Sequence, residues 1–409
     1  MNLKLTKEKL IALILLLLIG TFVVINMQKK SKGPAVNLGA LLALTGPIEG
    51  MVPPILDSVK MVADEINKNG GILGGRELKL TVGDSKCSAE GGTDAAKKLV
   101  NINKVSGIIG ALCSGASTAA ASGVAVPAGV PMISPASTAP TLTTLKDNDL
   151  FYRVIPSDAY QGIYLANLVL KKGIKKVSMT FVNNDYGIGL AKSFRDNYKK
   201  AGGTIVAESK HEDKKASYRS ELATLRKGGP EALVLIAYSE GSGQTIMRQA
   251  LENKFFNRFI GADGMISEKL LKRIGVKQLK SSFFSRPVAS KTRAATKWEK
   301  NFGQFSKHKL KSIFAREAYD AAMILALAIQ KGGSDDRATV KANIRAVSKA
   351  PGEIIEPGEW KKAVELIAAG KDINYNGAAG DHELDKNGDV PGVFGEFVVQ
   401  MGNSFKQVK

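Results

Sequence analysis

The feature that most constrains the fold is an order of segments that occurs twice along the chain. A strand-like apolar run at residues 36–44 is followed by a turn, a helix-like run with one apolar face, a glycine pair and a second strand-like run at residues 77–82. The same order recurs over residues 176–208. Strands that alternate with helices form parallel sheets through right-handed crossovers. The chain of 409 residues is therefore predicted to form two similar α/β lobes that face one another.

Polar loops follow the predicted strand ends, where open parallel sheets bind ligands. The first-lobe loops hold short hydroxyl side chains and lead into predicted helices, an arrangement that suits a carboxylate. The second-lobe loops hold carboxylates and tyrosines, which suit an ammonium group. An anion pocket opposite a cation pocket predicts a receptor for a zwitterion. The residues are Ser114, Ser117, Thr118, Ser134, Ser137 and Thr138 in the first lobe, and Asp185, Tyr186, Tyr238, Glu240 and Asp263 in the second.

These candidates also have ordinary structural explanations. Ser114 and Thr138 have the side chains that cap helix N-termini. Asp263 lies in a Gly-Ala-Asp-Gly sequence that is typical of a turn. Tyr186 and Tyr238 could serve only as packing at the rim of a cleft. The residues alone therefore leave both explanations open.

The two cysteines, Cys87 and Cys113, each follow a strand-like run. An export segment precedes them, so they would lie in an oxidising compartment where a disulfide persists. Such a bridge would stabilise the fold by roughly 3.5 kcal/mol in the chain-entropy model. It would also hold the small-residue loop that begins at Ser114. The alternative is a pair of inert buried thiols.

Residues 1–33 are predicted to be a signal peptide or a membrane anchor. Lys4, Lys7 and Lys9 precede an apolar run at residues 10–25, and further lysines follow it. The segment has no small-x-small cleavage site and no lipoprotein cysteine, which favours an anchor that is kept. A run of about 16 residues is short for a spanning helix, which keeps the cleaved alternative open. Either form places the protein in the periplasm or another extracytoplasmic compartment, and an uncleaved segment would tether it to the inner membrane.

The formal net charge is +20, and +15 remains on the part that follows the export segment. The basic residues occur as scattered pairs without interleaved aromatic residues, and no nucleic-acid-binding module is recognisable. We therefore predict a solvated basic surface and no nucleic-acid partner. Attraction to an anionic membrane surface is a secondary effect of this charge.

Enzyme and metal signatures are scarce. The dinucleotide-like start at Gly187 fails because Lys192 occupies the position of the third glycine. The three histidines are isolated, and no Gly-x-Ser-x-Gly sequence occurs. The run at residues 385–389 resembles a calcium loop with misplaced glycine, and a hairpin turn is the better interpretation. We predict no catalytic residue, no metal site and no cofactor.

Several short motifs together resemble the type I periplasmic solute-binding proteins of branched-chain amino acid ABC transporters. The resemblance extends from about residue 36 to residue 399 and rests on the order and spacing of the motifs. They are Leu44-Thr-Gly-Pro47, Ile66-Asn-Lys-Asn-Gly-Gly-Ile72, Cys113-Ser-Gly-Ala-Ser-Thr118, Met132-Ile-Ser-Pro-Ala-Ser-Thr138, Asp185-Tyr-Gly-Ile-Gly-Leu-Ala191 and Met247-Arg-Gln-Ala250.

The resemblance implies two Rossmann-like lobes, each a parallel sheet flanked by helices, joined by a three-crossing hinge that closes over a ligand. Residues 34–155 and 287–349 would form lobe 1, and residues 156–286 and 350–409 would form lobe 2. Cys87 and Cys113 match the disulfide of the first lobe in this family.

The resemblance also assigns roles to the candidate site residues. Ser114 and Thr138 match positions that hold the amino acid carboxylate, with the backbone of Ala136 and Ser137 nearby. Asp263 matches an acidic residue that holds the ammonium group. Tyr186 matches a tyrosine of the closing lobe, and Tyr238 aligns more loosely.

The implied function is capture of a small amino acid, with a branched-chain amino acid as the first expectation, and its delivery to an ABC transporter permease. The protein would be a monomer without enzymatic activity. Glu49, Gly50 and Met51 replace an aromatic residue that the family often has near the ligand side chain, so the ligand is open. The alternatives are a membrane-tethered sensory receptor, or a binding protein for an amide, urea or an aromatic acid.

Overall fold

The computed structural model describes residues 33–289, 291–308 and 313–408, so the predicted signal peptide or anchor lies outside the described residues except for Gly33. Within those ranges, no helix is long and apolar enough to cross a membrane. The strands are β1 (Val36–Leu42), β2 (Leu78–Asp84), β3 (Gly107–Gly110), β4 (Met132–Ser134), β5 (Phe151–Arg153), β6 (Lys176–Val182), β7 (Thr204–His211), β8 (Ala232–Ile236), β9 (Phe259–Gly261), β10 (Phe283–Val288), β11 (Glu353–Ile355), β12 (Ile373–Tyr375), β13 (Val393–Gln400) and β14 (Ser404–Gln407). The helices are α1 (Val52–Lys68), α2 (Ala89–Lys97), α3 (Ser114–Ala120), α4 (Asp158–Lys171), α5 (Asp185–Lys200), α6 (Arg219–Leu225), α7 (Ser242–Glu252), α8 (Glu268–Ile274), α9 (Arg293–Phe305), α10 (Ala315–Gly332), α11 (Arg337–Ser348) and α12 (Trp360–Ala368).

The first sheet is parallel throughout the described residues, with the strand order β2-β1-β3-β4-β5. Its central strands are apolar on both faces, as expected for a sheet that helices cover on both sides. Helix α10 packs against β3 and β4 and is buried over most of its length. The carboxyl ends of β3 and β4 lead directly into the hydroxyl-rich loops of the first lobe.

The second sheet has the strand order β14-β13-β10-β9-β8-β6-β7 in the described part of the chain. The pairs β7–β6, β6–β8, β8–β9 and β9–β10 are parallel. Strand β13 pairs antiparallel with both β10 and β14. The predicted α/β fold with two sheets is therefore confirmed. The antiparallel β13-β14 hairpin is an addition that the repeated segment order does not predict.

The start of α5 differs from the sequence prediction, which places Asp185 and Tyr186 in a loop. Asn184 is the N-cap residue, and its side-chain oxygen accepts the N–H of Gly187 at 3.0 Å. Helix α5 therefore begins at Asp185. As a result, Tyr186 lies in the first turn of a helix and not in a loop.

The described chain passes between the two sheets three times, after β5, after β10 and before β13. Residues 350–409 are predicted to belong to the second lobe, yet β11, β12 and α12 lie beside first-lobe helices α1, α10 and α11. The physical reason is the buried Trp360, whose indole N–H donates to the carbonyl of Gly71 at 3.1 Å. We therefore propose that the described residues within 34–155 and 289–392 form the first lobe and that residues 156–288 and 393–408 form the second.

Candidate functional site

A cavity of about 30 Å³ lies between the ends of the two sheets, with residues from both lobes in its walls. Six of the seven predicted ligand residues line it, namely Ser114, Ala136, Thr138, Tyr186, Tyr238 and Asp263. Ser137 does not line it, and its hydroxyl bonds to the hydroxyl of Ser117 at 2.7 Å. The remaining lining residues are Ile48, Met51, Ile55, Leu112, Cys113, Gly264 and Phe314.

Ser114 holds the loop that follows β4 in place. Its hydroxyl oxygen accepts the backbone N–H groups of Thr138 at 3.2 Å and Ala139 at 3.1 Å. These bonds use the lone pairs of the oxygen, so the hydroxyl proton can be donated into the cavity. Ser114 does not cap α3, since Cys113 is the N-cap residue and the helix has no side-chain cap bond.

A second serine, Ser134 at the end of β4, also fixes this loop. The hydroxyl of Ser134 donates to the carbonyl of Ala111 at 2.7 Å and accepts the N–H of Ser137 at 2.9 Å and that of Ala136 at 3.3 Å. The backbone donors of Ala136 and Ser137 are thus engaged within the loop. Their predicted contribution to a carboxylate site does not follow from this geometry.

Thr138 bonds to a carboxylate that the sequence analysis did not single out. Its hydroxyl donates to Oδ2 of Asp158 at 2.7 Å, and the N–H of Asp158 donates back to the carbonyl of Thr138 at 2.8 Å. Asp158 is fully buried at the start of α4. Burial, and secondly the charge of Asp263, raise the pKa of Asp158 well above its usual value.

Asp263 faces the cavity from the second lobe and is 4% exposed. Its Oδ1 accepts hydrogen bonds from the amide of Gln161 at 3.0 Å and from the hydroxyl of Tyr186 at 3.3 Å. Burial raises the pKa of Asp263 to about 6, although these two hydrogen bonds lower it. Asp263 also begins the short turn Asp263–Met265, as the structural explanation offered for this residue predicts.

The two tyrosines form one wall of the cavity. The rings of Tyr186 and Tyr238 are stacked, with centroids 5.4 Å apart. The hydroxyl of Tyr186 also accepts the N–H of Gly264 at 3.3 Å, and the hydroxyl of Tyr238 accepts from Asn184 at 3.4 Å. Both rings are more than nine-tenths buried, so they are part of the cavity wall and not of an exposed rim.

The opposite wall is apolar. Met51 and Ile55 reach it from the start of α1, and Leu112 reaches it from the end of β3. Phe314, the N-cap residue of α10, adds an aromatic ring that the sequence analysis missed. It lies more than 260 residues from Met51 in the chain, so no local pattern could connect the two.

A polar contact, here called the rim bridge, joins the lobes above the cavity. The carboxylate of Glu240 accepts the N–H of Gly50 at 3.1 Å and pairs with Lys269 at 2.9 Å. The backbone N–H of Glu240 donates to the carbonyl of Pro47 at 3.1 Å. Gly50 and Pro47 belong to the first lobe and Glu240 to the second, so the bridge favours the closed arrangement of the lobes.

Cys87 and Cys113 form a disulfide, which confirms that prediction. Their Cα atoms are 5.2 Å apart, and the bridge joins the loop after β2 to the loop after β3. Cys113 lines the cavity and directly precedes Ser114. The bridge therefore restrains the backbone that positions the serine hydroxyl.

The buried Arg153 connects the site to the end of the chain. Its guanidinium donates to both oxygens of Asp389, at 2.6 and 2.9 Å, and to the carbonyl of Ala139 at 3.0 Å. The run that resembles a calcium loop forms a turn, in which Asp385 accepts the N–H groups of Asn387 and Asp389. Among the described residues, no cluster of three or more His, Cys, Asp or Glu side chains could hold a metal ion.

Residues 35–363 match the model of a protein family described as periplasmic binding protein. The chain belongs to this family. The match covers the first sheet, most of the second sheet and every residue that lines the cavity. The chain is thus a binding protein of the periplasmic family and not an enzyme.

Individual proteins show similarity at about 25% identity. The binding protein is 26% identical to the leucine-, isoleucine-, valine-, threonine-, and alanine-binding protein of Pseudomonas aeruginosa over 315 residues, 75% of this chain and 82% of that protein. It is 24% identical to the chemotactic signal transduction system substrate-binding protein BasB of Halobacterium salinarum over 360 residues, 86% of this chain and 84% of that protein. The structure of a leucine binding protein from Thermotoga maritima superimposes with a TM-score of 0.77 at 23% identity, covering 92% of this chain and 98% of that chain. The last similarity confirms the type I fold.

Proposed function

We propose that the protein captures a small aliphatic amino acid, with a branched-chain amino acid as the first expectation, and delivers it to the membrane permease of an ABC transporter. The observation that supports this proposal is the polarity of the cavity. A hydroxyl donor, Ser114, lies in one lobe, and a carboxylate, Asp263, lies in the other. A zwitterion would bind to both lobes at once, and its binding energy would favour their closure.

The two charged ends of the ligand would have different partners. The carboxylate would accept the proton of Ser114, whose lone pairs are used within the loop. The ammonium group would donate to Asp263 and lie near the stacked rings of Tyr186 and Tyr238, which add cation–π attraction. This assignment keeps the predicted roles of Ser114 and Asp263. It moves Thr138 away from the carboxylate, because its proton is donated to Asp158.

The side chain of the ligand would lie against the apolar wall. Met51, Ile55, Leu112 and Phe314 offer hydrophobic surface and no charge, so an aliphatic side chain is favoured over a charged one. The names of the Pseudomonas aeruginosa relative and the Thermotoga maritima structure agree with such a ligand.

A thermal-shift screen of the purified protein tests the proposal. Amino acids are compared with amides, urea and aromatic acids, and a ligand at 100 times its dissociation constant should add about 2.7 kcal/mol of stability. Asp263→Ala should abolish the shift with an amino acid, whereas Asp196→Ala, at an exposed carboxylate, should retain it. A shift with only an amide or an aromatic acid would overturn the proposal, as would amino acid binding that survives Asp263→Ala.

A second candidate function is that of a membrane-tethered sensory receptor. The similarity to a chemotactic substrate-binding protein over 86% of this chain favours it. The two functions share the ligand and differ in the partner, so uptake of labelled ligand and chemotaxis are measured in cells that lack the protein. Loss of uptake supports transport, and loss of chemotaxis alone supports sensing. The monomeric state, the absence of a nucleic-acid partner and the tether remain predictions.

A further inference from the structure

Asp158 has an unusual place behind the cavity wall. It is fully buried, one carboxylate oxygen accepts the hydroxyl of Thr138 at 2.7 Å, and the other oxygen has no hydrogen-bond partner in the described part of the chain. Its backbone N–H also holds the carbonyl of Thr138. Two hydrogen bonds therefore fix Thr138 against Asp158. Of the two residues, only Thr138 is predicted to contact the ligand.

The direction of the hydroxyl bond decides what Thr138 can bind. A hydroxyl has one proton and two lone pairs, so a proton donated to Asp158 leaves only acceptor capacity toward the cavity. A ligand group that contacts Thr138 must then be a donor, such as an ammonium group. If Asp158 carried a proton and donated it to Thr138, the hydroxyl could instead donate to a ligand carboxylate.

The surrounding charges favour a cationic group at this end of the cavity. Asp158 and Asp263 are both buried and repel one another, which raises the pKa of Asp158. The guanidinium of Arg153 is already bonded to Asp389 and to loop carbonyls. The charged and titratable groups that act on the two carboxylates are Arg153, Arg286, Tyr186 and Tyr238.

We propose that Asp158 is a positioning residue that keeps the Thr138 hydroxyl an acceptor and thereby makes the site select ligands with an ammonium group over their deaminated analogues. The proposal rests on the proposed function, since it concerns the same cavity. Asp158 acts through Thr138, because the carboxylate lies behind the threonine and does not line the cavity. An ammonium ligand that lies against Thr138 and Asp263 would favour the charged form of both carboxylates.

The test uses Asp158→Asn, Thr138→Val, Thr138→Ser and the Asp158→Asn/Thr138→Val double variant. Leucine and its 2-oxo analogue, 4-methyl-2-oxopentanoate, are the two probes, and affinities are measured by calorimetry. Asp158→Asn should weaken leucine binding about 10- to 100-fold, because an asparagine amide can donate to one lone pair of the Thr138 oxygen and leave the hydroxyl proton directed at the ligand ammonium group. The affinity for the oxo acid should change less than about threefold, which corresponds to less than one hydrogen bond.

Two further readouts separate positioning from a purely structural role. The double variant should bind leucine with the same affinity as the single variant that binds it more weakly, since both substitutions remove the same interaction. Thr138→Ser keeps the hydroxyl and should retain affinity near that of the wild type. Leucine binding at about pH 6 should release protons in the wild type and fewer in Asp158→Asn, as measured in buffers of different ionisation enthalpy.

The possible results are distinct. Equal losses for leucine and the oxo acid, or additive losses in the double variant, would overturn the role of Asp158 while leaving the proposed function intact. If Asp158→Asn does not fold, the Thr138→Val and Thr138→Ser pair decides, since only the valine should lose discrimination between the two probes. Failure of the wild type to bind any amino acid would overturn the proposed function and this inference with it.

Discussion

Replacing both Cys87 and Cys113 by alanine would show how much the disulfide stabilises the first lobe. The two residues are 26 positions apart, which gives a loss of about 3.5 kcal/mol in the chain-entropy model. For domains of 150–250 residues, each kcal/mol lowers Tm by about 2–4 °C, so we expect a decrease of about 7–14 °C.

The same change should weaken ligand binding. Cys113 directly precedes Ser114, whose hydroxyl holds the N–H groups of Thr138 and Ala139. Release of the bridge would let this backbone sample more conformations in the free protein. The ligand would then have to order it again, which reduces the affinity.

Thermal unfolding with and without a reductant is the assay, and thiol labelling confirms reduction. The reductant should lower the Tm of the wild type toward that of the double variant and leave the double variant unchanged. Ser88→Ala removes the cap of α2 at a cost of about 1 kcal/mol but keeps the bridge, so it should remain sensitive to the reductant. A fully reduced wild type with an unchanged Tm would refute the reasoning.

Three other results are expected. Arg153→Met should lower the free energy of unfolding by about 3–5 kcal/mol in denaturant titrations, because it leaves the partly buried carboxylate of Asp389 without its charge partner. A loss below about 1 kcal/mol would contradict this. Gly50→Ala should weaken ligand binding about tenfold without a change in Tm, because its methyl group would overlap the Glu240 carboxylate. Gly123→Ala is the control, since open space surrounds that position and the affinity should not change. Because the pKa of Asp263 is raised from 3.8 to about 6, this residue contributes stability that decreases as pH rises through about 6. Amino acid affinity should increase over the same interval, because the carboxylate that binds the ammonium group becomes ionised. Calorimetry that shows no weakening of amino acid binding at about pH 5 would contradict this role.

Much of the fold could be predicted because its determinants are local. The apolar runs of β1 and β8 and the amphipathic pattern of α1 each indicate an element by themselves. Parallel topology then places the loops after β3, β4 and β9 at one end of each sheet. Ser114, Thr138 and Asp263 were found in this way, by their position after a strand and not by their individual chemistry.

Other parts of the site depend on contacts that no local pattern contains. Asp158 follows β5 by a few residues, and its importance arises only because Thr138 lies opposite it. Phe314 reaches the cavity at the start of a long buried helix, and the helical pattern of that segment does not show which of its residues faces the ligand cavity. The contact of the Ser137 hydroxyl with Ser117 depends on packing in the same way, and the predicted role of the Ser137 backbone stays a prediction.

The pairing of Arg153 with Asp389 also links ligand binding to the order in which the chain is made. Every residue that lines the cavity has been synthesised once the ribosome passes Phe314. Until Asp389 follows, however, the guanidinium that holds the carbonyl of Ala139 has no carboxylate partner in its buried position. A chain released before that point would contain the complete set of lining residues and still lack a properly supported site. Ligand binding would thus report on completion of the whole polypeptide, and C-terminal truncation would be as damaging as a change in the cavity itself.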